Sequence, residues 1–163
     1  MTSPVGKLKL ISSSEALVAV LWEREKQNRV KLEIPEFDPH RPLLMETEGQ
    51  LLEYFAGQRT QFDLPLDLRG TEFQIRVWQA LREIPFGQTR SYMALAEAIG
   101  LSKAVRAVAA ANGRNPLSII VPCHRIIGAD GSLTGFAGGL QAKAALLALE
   151  SSRNMLQEQI CLF

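Results

Sequence analysis

The sequence predicts an α+β fold, in which a small N-terminal antiparallel sheet with one helix precedes a mostly helical C-terminal half containing a helix-turn-helix. Two short runs rich in strand-forming residues, Lys7–Ser12 and Ala16–Trp22, are separated by a polar turn and indicate a hairpin. After residue 70, apolar residues recur at helical spacing. The chain has 163 residues, 47% hydrophobic and 21% charged, enough for one domain or two small ones. We place the two parts at residues 1–65 and 66–163.

One helix and a connection complete the N-terminal part. Val30–Ile34 alternates apolar and polar residues and fits either a third strand or an extension of a helix. Leu43–Phe55 has helical spacing, and Gly57 ends it. Four of its apolar side chains can share the inner face: Leu44, Leu51, Leu52 and Phe55. Gln58–Gly70 is predicted to run extended between the two parts.

Two short helices joined by a tight turn are predicted in the middle of the C-terminal part. Ser91 can cap a helix over Tyr92–Ile99, and Gly100 closes it. Ser102 can cap the next helix, Lys103–Asn112. This arrangement is typical of a helix-turn-helix, whose second helix usually contacts DNA.

A longer helix is predicted on each side of this pair. The first has apolar residues at helical spacing and stops at Ile84–Gly87; they are Phe73, Val77, Trp78 and Leu81. The last is predicted over Leu140–Glu150, with three leucines in the core: Leu146, Leu147 and Leu149.

The second helix of the pair has an unusual outer face. Lys103, Arg106, Ala107 and Ala110 share one side, while the opposite side carries Ala104, Val108 and Ala111. Two cations among small alanines would let the backbone approach a sugar-phosphate surface closely. The same pattern also fits an alanine-rich helix without a ligand, since alanine is the best helix former.

Positive charge is concentrated around this helix. The net charge of the whole chain is only +1, but residues 69–125 contain eight Lys or Arg against three Asp or Glu. Such a segment is the expected electrostatic footprint of a nucleic-acid-binding face. A basic surface without a ligand remains the alternative.

A cysteine and a histidine stand side by side after an apolar run, in Ile119–Arg125, although the chain has only two residues of each type. Pro122 cannot continue a strand, so we expect pairing of Ile119–Val121 to stop there and Cys123 to lie in a turn. A neighbouring imidazole can make a cysteine a nucleophile by favouring its thiolate. The alternative is a buried structural cysteine.

Glycines are dense after this pair. Gly128–Gly131 has turn chemistry, and Gly135, Gly138 and Gly139 bracket Phe136 and Ala137. This density indicates positive φ angles or a close approach of the backbone to a ligand.

Several protein classes are not expected. The N-terminus lacks the pattern of a secretion signal and no stretch reaches the length of a membrane span, so we expect a cytoplasmic protein without membrane contact. Two cysteines are too few for a disulfide framework. His40 and Cys161 stand alone, so no metal or other cofactor is expected, and we assign no role to Cys161.

Together these motifs resemble a known family. The helix-turn-helix, Asn115-Pro116, the Pro122–Arg125 motif and Gly135–Gly139 resemble the bacterial methylated-DNA–protein-cysteine methyltransferases, also called O6-alkylguanine-DNA alkyltransferases. The resemblance covers nearly the whole chain and is strongest from Phe73 to Glu150. It implies a ribonuclease H-like N-terminal domain. It also implies duplex DNA as the partner, bound through the minor groove by a monomer and largely independently of sequence.

The resemblance also implies roles for individual residues. Cys123 would accept the alkyl group, His124 would take its proton through a water, Glu150 would orient the imidazole, and Asn115 would brace the turn. Tyr92 would lie beside the damaged base, and Arg106 would fill the gap left by the flipped nucleotide. DNA contacts would come from Ser91, Tyr92, Lys103, Arg106, Ala107 and Ala110. The base pocket would include the backbone carbonyls of Cys123 and Ile126, with Phe136, Ala137 and, at the rim, Lys143.

Two positions depart from the usual family pattern. Some relatives carry a serine where Ala137 stands, but a backbone contact would survive that change. Val105 occupies a place usually held by a smaller residue beside the groove.

The chemistry expected from these residues is a displacement by sulfur at the alkyl carbon of O6-alkylguanine, after the base has left the stack. O4-alkylthymine is a second expected substrate. The thioether product has no good leaving group, so each molecule should react once. The reaction requires an exposed, ionisable sulfur at the floor of a cleft. A cysteine hydrolase and a DNA-binding sensor of alkylation are the alternative functions.

Overall fold

The computed structural model describes residues 1–32 and 41–160, with side chains through residue 153, and begins with a three-stranded antiparallel sheet. Its strands are β1 (Thr2–Ser3), β2 (Gly6–Ser12) and β3 (Leu17–Trp22), in the spatial order β1-β2-β3. The predicted hairpin is confirmed as β2 and β3. The third strand lies at the N-terminus instead of at Val30–Ile34: residues 30–32 form no strand, and residues 33 and 34 lie outside the described part.

The predicted N-terminal helix is confirmed as α1 (Pro42–Phe55), which has proline at its first turn. Leu51 and Tyr54 are fully buried on its inner face. Leu52 was expected on that face, but it is half exposed, because Leu51 already occupies the position toward the core.

Strand β3 joins the two parts of the chain. It is buried along nearly its whole length. Besides its pairing with β2, it forms isolated parallel bridges to two later segments, from Leu17 to Leu66 and from Val20 to Leu117. The sheet therefore holds both the connecting segment and the loop that leads to Cys123.

The middle of the chain forms the expected pair of short helices after α2 (Glu72–Arg82) and the short strand β4 (Arg90–Ser91). These helices are α3 (Tyr92–Ala98) and α4 (Val105–Gly113). Ser91 caps α3 as predicted, since its hydroxyl accepts from the Ala94 amide at 3.1 Å. The predicted cap at Ser102 is wrong. Ser102–Ala104 forms a 3₁₀ turn, and α4 begins only after it.

The C-terminal segment contains a 3₁₀ turn at Cys123–Arg125, strand β5 (Ile126–Ile127), which pairs in parallel with β4, and α5 (Leu140–Ile160). The predicted end of the last helix at Glu150 is wrong, because no glycine or proline follows to stop it. Glu150 therefore lies in the middle of α5 with its side chain buried.

The apolar run before Cys123 does not form a strand. Ile119 has a φ of +74°, a left-handed conformation that β-branched residues rarely adopt, and this reverses the chain before Pro122. Cys123 lies in a turn, as predicted.

One hydrophobic core contains side chains from both parts, including Leu17, Val20, Tyr54, Trp78, Leu117 and Leu146. Among the described residues, no helix combines the length and apolarity that a membrane crossing requires.

Candidate active site

Asn115 holds the loop that carries Cys123. Its side-chain amide donates to the Val121 carbonyl at 2.8 Å, and its side-chain oxygen accepts from the Leu117 amide at 2.9 Å. The Asn115 side chain is fully buried, so these bonds do not compete with bulk water. They close the loop across the strained Ile119 and fix where the following turn begins.

Cys123 is buried, with only 4% of its surface exposed. The expectation of an exposed sulfur is therefore wrong for this arrangement of the protein. Burial raises the pKa of the Cys123 thiol, and a hydrogen bond with Asn115 offsets part of this effect. The resting group is therefore a neutral thiol, and a base has to remove its proton for attack.

The imidazole of His124 lies beside the Glu150 carboxylate. Nε2 of His124 and Oε1 of Glu150 are 2.8 Å apart, and both side chains are buried. Burial lowers the pKa of His124 despite the neighbouring carboxylate, so the imidazole is neutral at physiological pH. Because an ionised carboxylate only accepts hydrogen bonds, the proton of the neutral ring lies on Nε2.

The other ring nitrogen of His124, Nδ1, is left as the basic atom. It is buried and has no hydrogen-bond partner among the described protein atoms. A neutral imidazole with a free basic nitrogen, next to a thiol in sequence and held by a carboxylate, has the composition of a nucleophile–base–orienter set.

Glu150 accepts hydrogen bonds from three residues besides His124. Arg125 donates through Nε to Oε2 at 2.9 Å and through Nη2 to Oε1 at 3.0 Å. Tyr54 donates from α1 at 2.7 Å, and the Gly87 amide donates at 3.2 Å. Burial alone would raise the pKa of Glu150, but hydrogen bonds from His124 and Arg125 and the charge of Arg125 lower it to about 2. Glu150 is therefore ionised at neutral pH.

The spacing of α5 explains how these groups meet. Lys143, Leu146 and Glu150 recur at helical intervals, and all three are buried on the face toward the turn at Cys123–Arg125. On the other side, Arg125 donates to the Ile84 carbonyl at 2.6 Å and so links the end of α2 to the same carboxylate.

The glycine-rich segment crosses close to the N-terminal sheet. A Cβ atom on Gly138 would lie 2.5 Å from the Trp22 ring, so only glycine fits there. Phe136 packs edge-on against Trp22 at 5.5 Å between ring centroids, and 6.4 Å from the His124 ring. The close approach predicted from the glycines is therefore made to a tryptophan.

A cleft of about 780 Å³ opens between this segment and the N-terminal part. Phe136 and Ala137 line one side of it, and Trp22, Arg24 and Arg29 line the other. Cys123 is not among its lining residues.

Lys143 was expected at the rim of a pocket but is fully buried. Its ammonium group donates to the Ile126 carbonyl at 2.5 Å and to the Thr134 carbonyl at 2.9 Å. The hydroxyl of Tyr92 lies 2.9 Å from that of Thr134. One acceptor position of Ile126 is therefore occupied by Lys143, and Tyr92 and Lys143 hold the same loop from two sides.

The outer face predicted for α4 is exposed, as Lys103, Arg106, Ala107 and Ala110 are all open to solvent, while Val108 and Ala111 are buried. Val105 is partly buried against the core, so its extra bulk relative to alanine is turned at least partly inward. Ser91 is partly exposed at the start of α3.

No group of three or more His, Cys, Asp or Glu side chains suited to a metal ion occurs among the described residues. Residues 33–40 and 161–163, which include His40 and Cys161, lie outside the described part.

Two family models together match almost the whole described chain. Residues 1–68 match "6-O-methylguanine DNA methyltransferase, ribonuclease-like domain", and residues 72–152 match the DNA binding domain of the same description. The methylated-DNA–protein-cysteine methyltransferase of Mycobacterium tuberculosis is 48% identical over 153 residues, which cover 93% of this chain and 90% of that one. The chain belongs to the methylated-DNA–protein-cysteine methyltransferase family.

Other members of this family agree. The protein of the same name from Methanosarcina acetivorans is 48% identical over 92% of this chain and 95% of its own. A crystal structure of Mycobacterium tuberculosis OGT in complex with DNA has a TM-score of 0.85 at 47% identity, covering 94% of this chain and 91% of that chain. The predicted α+β fold with a ribonuclease-like N-terminal part is therefore confirmed.

Neither the sequence patterns nor the family resemblance predicted three of the groups that donate hydrogen bonds to Glu150. They are the Tyr54 hydroxyl, the Arg125 guanidinium and the Gly87 amide. Arg125 could have been found from its place in the Pro122–Arg125 motif, since a cation next to His124 needs a buried partner. Tyr54 and Gly87 carry no local signal of this contact, because 96 and 63 residues separate them from Glu150.

Proposed function

We propose that this protein repairs alkylated DNA by transferring the alkyl group from O6 of guanine to Sγ of Cys123. A carbon–sulfur bond forms as the carbon–O6 bond breaks. The thiol gives its proton to His124, and the released guanine takes up one proton in exchange. The chain is a member of the methyltransferase family. The observation that most supports the proposed reaction is the buried His124–Glu150 pair next to Cys123, in which the carboxylate is ionised.

Proton removal and attack by sulfur are coupled in this proposal. Because burial raises the pKa of Cys123, the thiolate forms only when Nδ1 of His124 receives the proton, directly or through a water. Asn115 stabilises the thiolate by its hydrogen bond, and Glu150 stabilises the imidazolium that results. The Tyr92 hydroxyl, at the start of α3 and beside Thr134, donates to the departing guanine in this proposal.

The reaction occurs once in each molecule. The product is a thioether, and a thiolate on an unactivated alkyl carbon is too poor a leaving group for water to displace. Cys123 is therefore consumed, and the protein acts as a stoichiometric reagent.

DNA binds through the exposed face of α4 in this proposal. Arg106 on α4 and Lys103 in the 3₁₀ turn before it would lie near phosphates, and Ala107 and Ala110 would allow close approach to the minor groove. The damaged nucleotide swings out of the duplex and Arg106 fills the vacated space. Because Cys123 is buried, the segment around it has to open before a base can reach Sγ.

The same proposal includes O4-alkylthymine as a second substrate, a monomer acting in the cytoplasm, and binding largely independent of DNA sequence. Exposed phosphate contacts of this kind weaken as salt concentration rises.

Peptide mass spectrometry tests the proposal. The protein is incubated with a duplex containing one O6-methylguanine and then digested. We expect the Cys123 peptide to gain the mass of one methyl group in place of hydrogen, and Cys123→Ser to gain none. Methylation elsewhere, or an unmodified Cys123 peptide together with turnover of an ester substrate, would overturn it in favour of another function such as hydrolysis.

A further inference from the structure

Tyr54 is a buried polar residue that the proposed reaction does not use. It belongs to α1, in the N-terminal part, and its side chain is fully buried. The ring packs against Phe55, Phe62 and Phe86 at 5.4–6.1 Å between centroids. Packing accounts for the ring, but an apolar phenylalanine would fill the same space. The hydroxyl therefore needs a separate explanation.

The hydroxyl of Tyr54 donates to the Glu150 oxygen that also binds His124. The Tyr54 Oη atom lies 2.7 Å from Oε1, the His124 Nε2 atom lies 2.8 Å from it, and Nη2 of Arg125 lies 3.0 Å from it. Burial and the charge of Glu150 raise the pKa of Tyr54 far above its usual range. The phenol therefore stays protonated and can act only as a donor toward the carboxylate.

Three donors on one oxygen compete for its negative charge. A carboxylate oxygen that accepts a bond from Tyr54 stabilises an imidazolium less than the same oxygen would without it. The charged groups that act on His124 are Glu150 and Lys143 on α5 and Arg125 in the same turn. Tyr54 contacts Glu150 from α1, so any effect on His124 passes through that carboxylate.

We propose that Tyr54 is a positioning residue for alkyl transfer. Its hydroxyl donates to Oε1 of Glu150, so that this oxygen stabilises a protonated His124 less and His124 stays a neutral base. The proposal rests on the function proposed above, in which His124 receives the thiol proton. It also gives the N-terminal part a direct influence on the chemistry of the C-terminal part, through one hydrogen bond that spans 96 residues.

The test compares Tyr54→Phe with a control from the same helix face. Thr47 is also fully buried on α1, but its hydroxyl donates to the Leu43 carbonyl at 2.8 Å and does not reach Glu150. Thr47→Val therefore removes a buried hydroxyl from α1 without touching the carboxylate. For both variants, the rate of methyl transfer from O6-methylguanine duplex is measured against pH, and the His124 imidazole is titrated by NMR.

Without the Tyr54 hydroxyl, Glu150 should stabilise the imidazolium more. Tyr54→Phe should therefore move the acid limb of the rate profile and the His124 titration to higher pH. The shift should be up to about one pH unit, which corresponds to the free energy of one hydrogen bond to a charged group. The rate on the alkaline plateau should change less than threefold. Thr47→Val should reproduce the wild-type profile. A Tyr54→Phe profile that coincides with wild type, or an equal shift in Thr47→Val, would overturn the proposal.

A second substitution keeps the test decisive if Tyr54→Phe does not fold. 3-Fluorotyrosine placed at position 54 retains the ring and makes the hydroxyl a stronger donor, so the acid limb should move to lower pH. A shift to higher pH, or none, would count against the proposal. If wild type transfers no methyl group to Cys123, the proposed function has failed; if it does so and neither variant shifts the profile, only the role of Tyr54 has failed.

Discussion

Glu150 is the residue on which the buried part of the site depends. It is almost fully buried, yet it carries a negative charge that Arg125 offsets through two hydrogen bonds. A buried charge of this kind is tolerated only when its partners are present, because removing it from water costs several kcal/mol. In the proposed reaction, the carboxylate therefore serves both the chemistry of His124 and the stability of the fold.

Replacing Glu150 by glutamine should test this at the residue scale. Glu150→Gln keeps the volume but leaves Arg125 as an unpaired buried cation, so we expect the free energy of unfolding in urea to fall by about 3–5 kcal/mol. Methyl transfer should slow by about 10²-fold or more, because His124 loses the group that orients it.

The control for Glu150→Gln is another glutamate in a salt bridge. Glu53 pairs with Arg59 at 2.6 Å, but its side chain is about half exposed. Glu53→Gln should change stability by less than about 1 kcal/mol. Equal losses in the two variants would show that burial of Glu150 is not the cause.

Residue chemistry was the part of the site best predicted from sequence. The adjacency of Cys123 and His124 is a local feature, and the place of Asn115 beside them was implied by the family resemblance. The burial of the sulfur could not, because it depends on packing by segments far apart in the chain. The same limit applies to Lys143, whose partners are carbonyls of Ile126 and Thr134 that no side-chain pattern reveals.

At the scale of elements, α4 separates the surface proposed to bind DNA from the core. Its exposed side has Arg106 as its central cation, while Val108 and Ala111 anchor the opposite side and Trp78 of α2 donates to the Ala111 carbonyl at 2.9 Å. A helix fixed in this way can hold an exposed arginine in a defined position over a ligand.

Arg106→Ala should slow repair of duplex DNA by about 10–100-fold, because the vacated stack is no longer filled and flipping costs a few kcal/mol. Reaction with the free base O6-methylguanine should change less than about twofold, since no flipping is needed. Single-turnover rates on both substrates check this. Arg82→Ala, which removes an exposed arginine from the end of α2, is the control for lost charge. An equal loss on both substrates would show that Arg106 supports the fold instead.

Helices and hairpin were predicted well, but their ends were not. The cap at Ser91 and the hairpin follow from local side-chain and turn preferences. The start of α4 and the reversal at Ile119 depend on tertiary contacts that override local preference, whereas the length of α5 follows from the absence of a stop signal after Glu150. The segment Val30–Ile34 was open between a third strand and a helix extension; its described residues 30–32 form no strand, and β2 pairs instead with the N-terminal strand β1.

On the scale of the whole molecule, the two parts are joined by polar contacts as well as by the core. Arg29 donates to the carbonyls of Gly113 and Asn115 at 3.1 and 2.8 Å and pairs with Glu25 at 2.8 Å. Tyr54 reaches Glu150 in the same direction, from the N-terminal part to the site. Unfolding of either part should therefore disturb the site, and stability should respond to the titration of buried groups.

Acid should destabilise the protein between pH 7.5 and 5 mainly through His124. Its pKa is lowered in the folded state, so below about 6.5 the unfolded chain binds the extra proton and stability falls with pH. The free energy of unfolding should fall by up to about 2 kcal/mol at pH 5. The pKa of Glu150 is about 2, below the unfolded value, so its contribution is present above about pH 4.3 and is lost only at lower pH.

Urea unfolding at a series of pH values checks this prediction. The free energy of unfolding of His124→Gln should fall much less between pH 7.5 and 5 than that of wild type, because the variant lacks the His124 imidazole while it keeps His40 and the carboxylates. If the variant shows the same decline as wild type, His124 is not held neutral by burial.

The number of methyl groups accepted by each protein molecule tests the central claim most directly. The protein is incubated with a large excess of duplex carrying isotope-labelled O6-methylguanine, and transferred label is counted against protein over time. We predict a plateau at one methyl group per molecule, all of it on Cys123. Continued accumulation beyond one, or a plateau with Cys123 unmodified, would contradict the account.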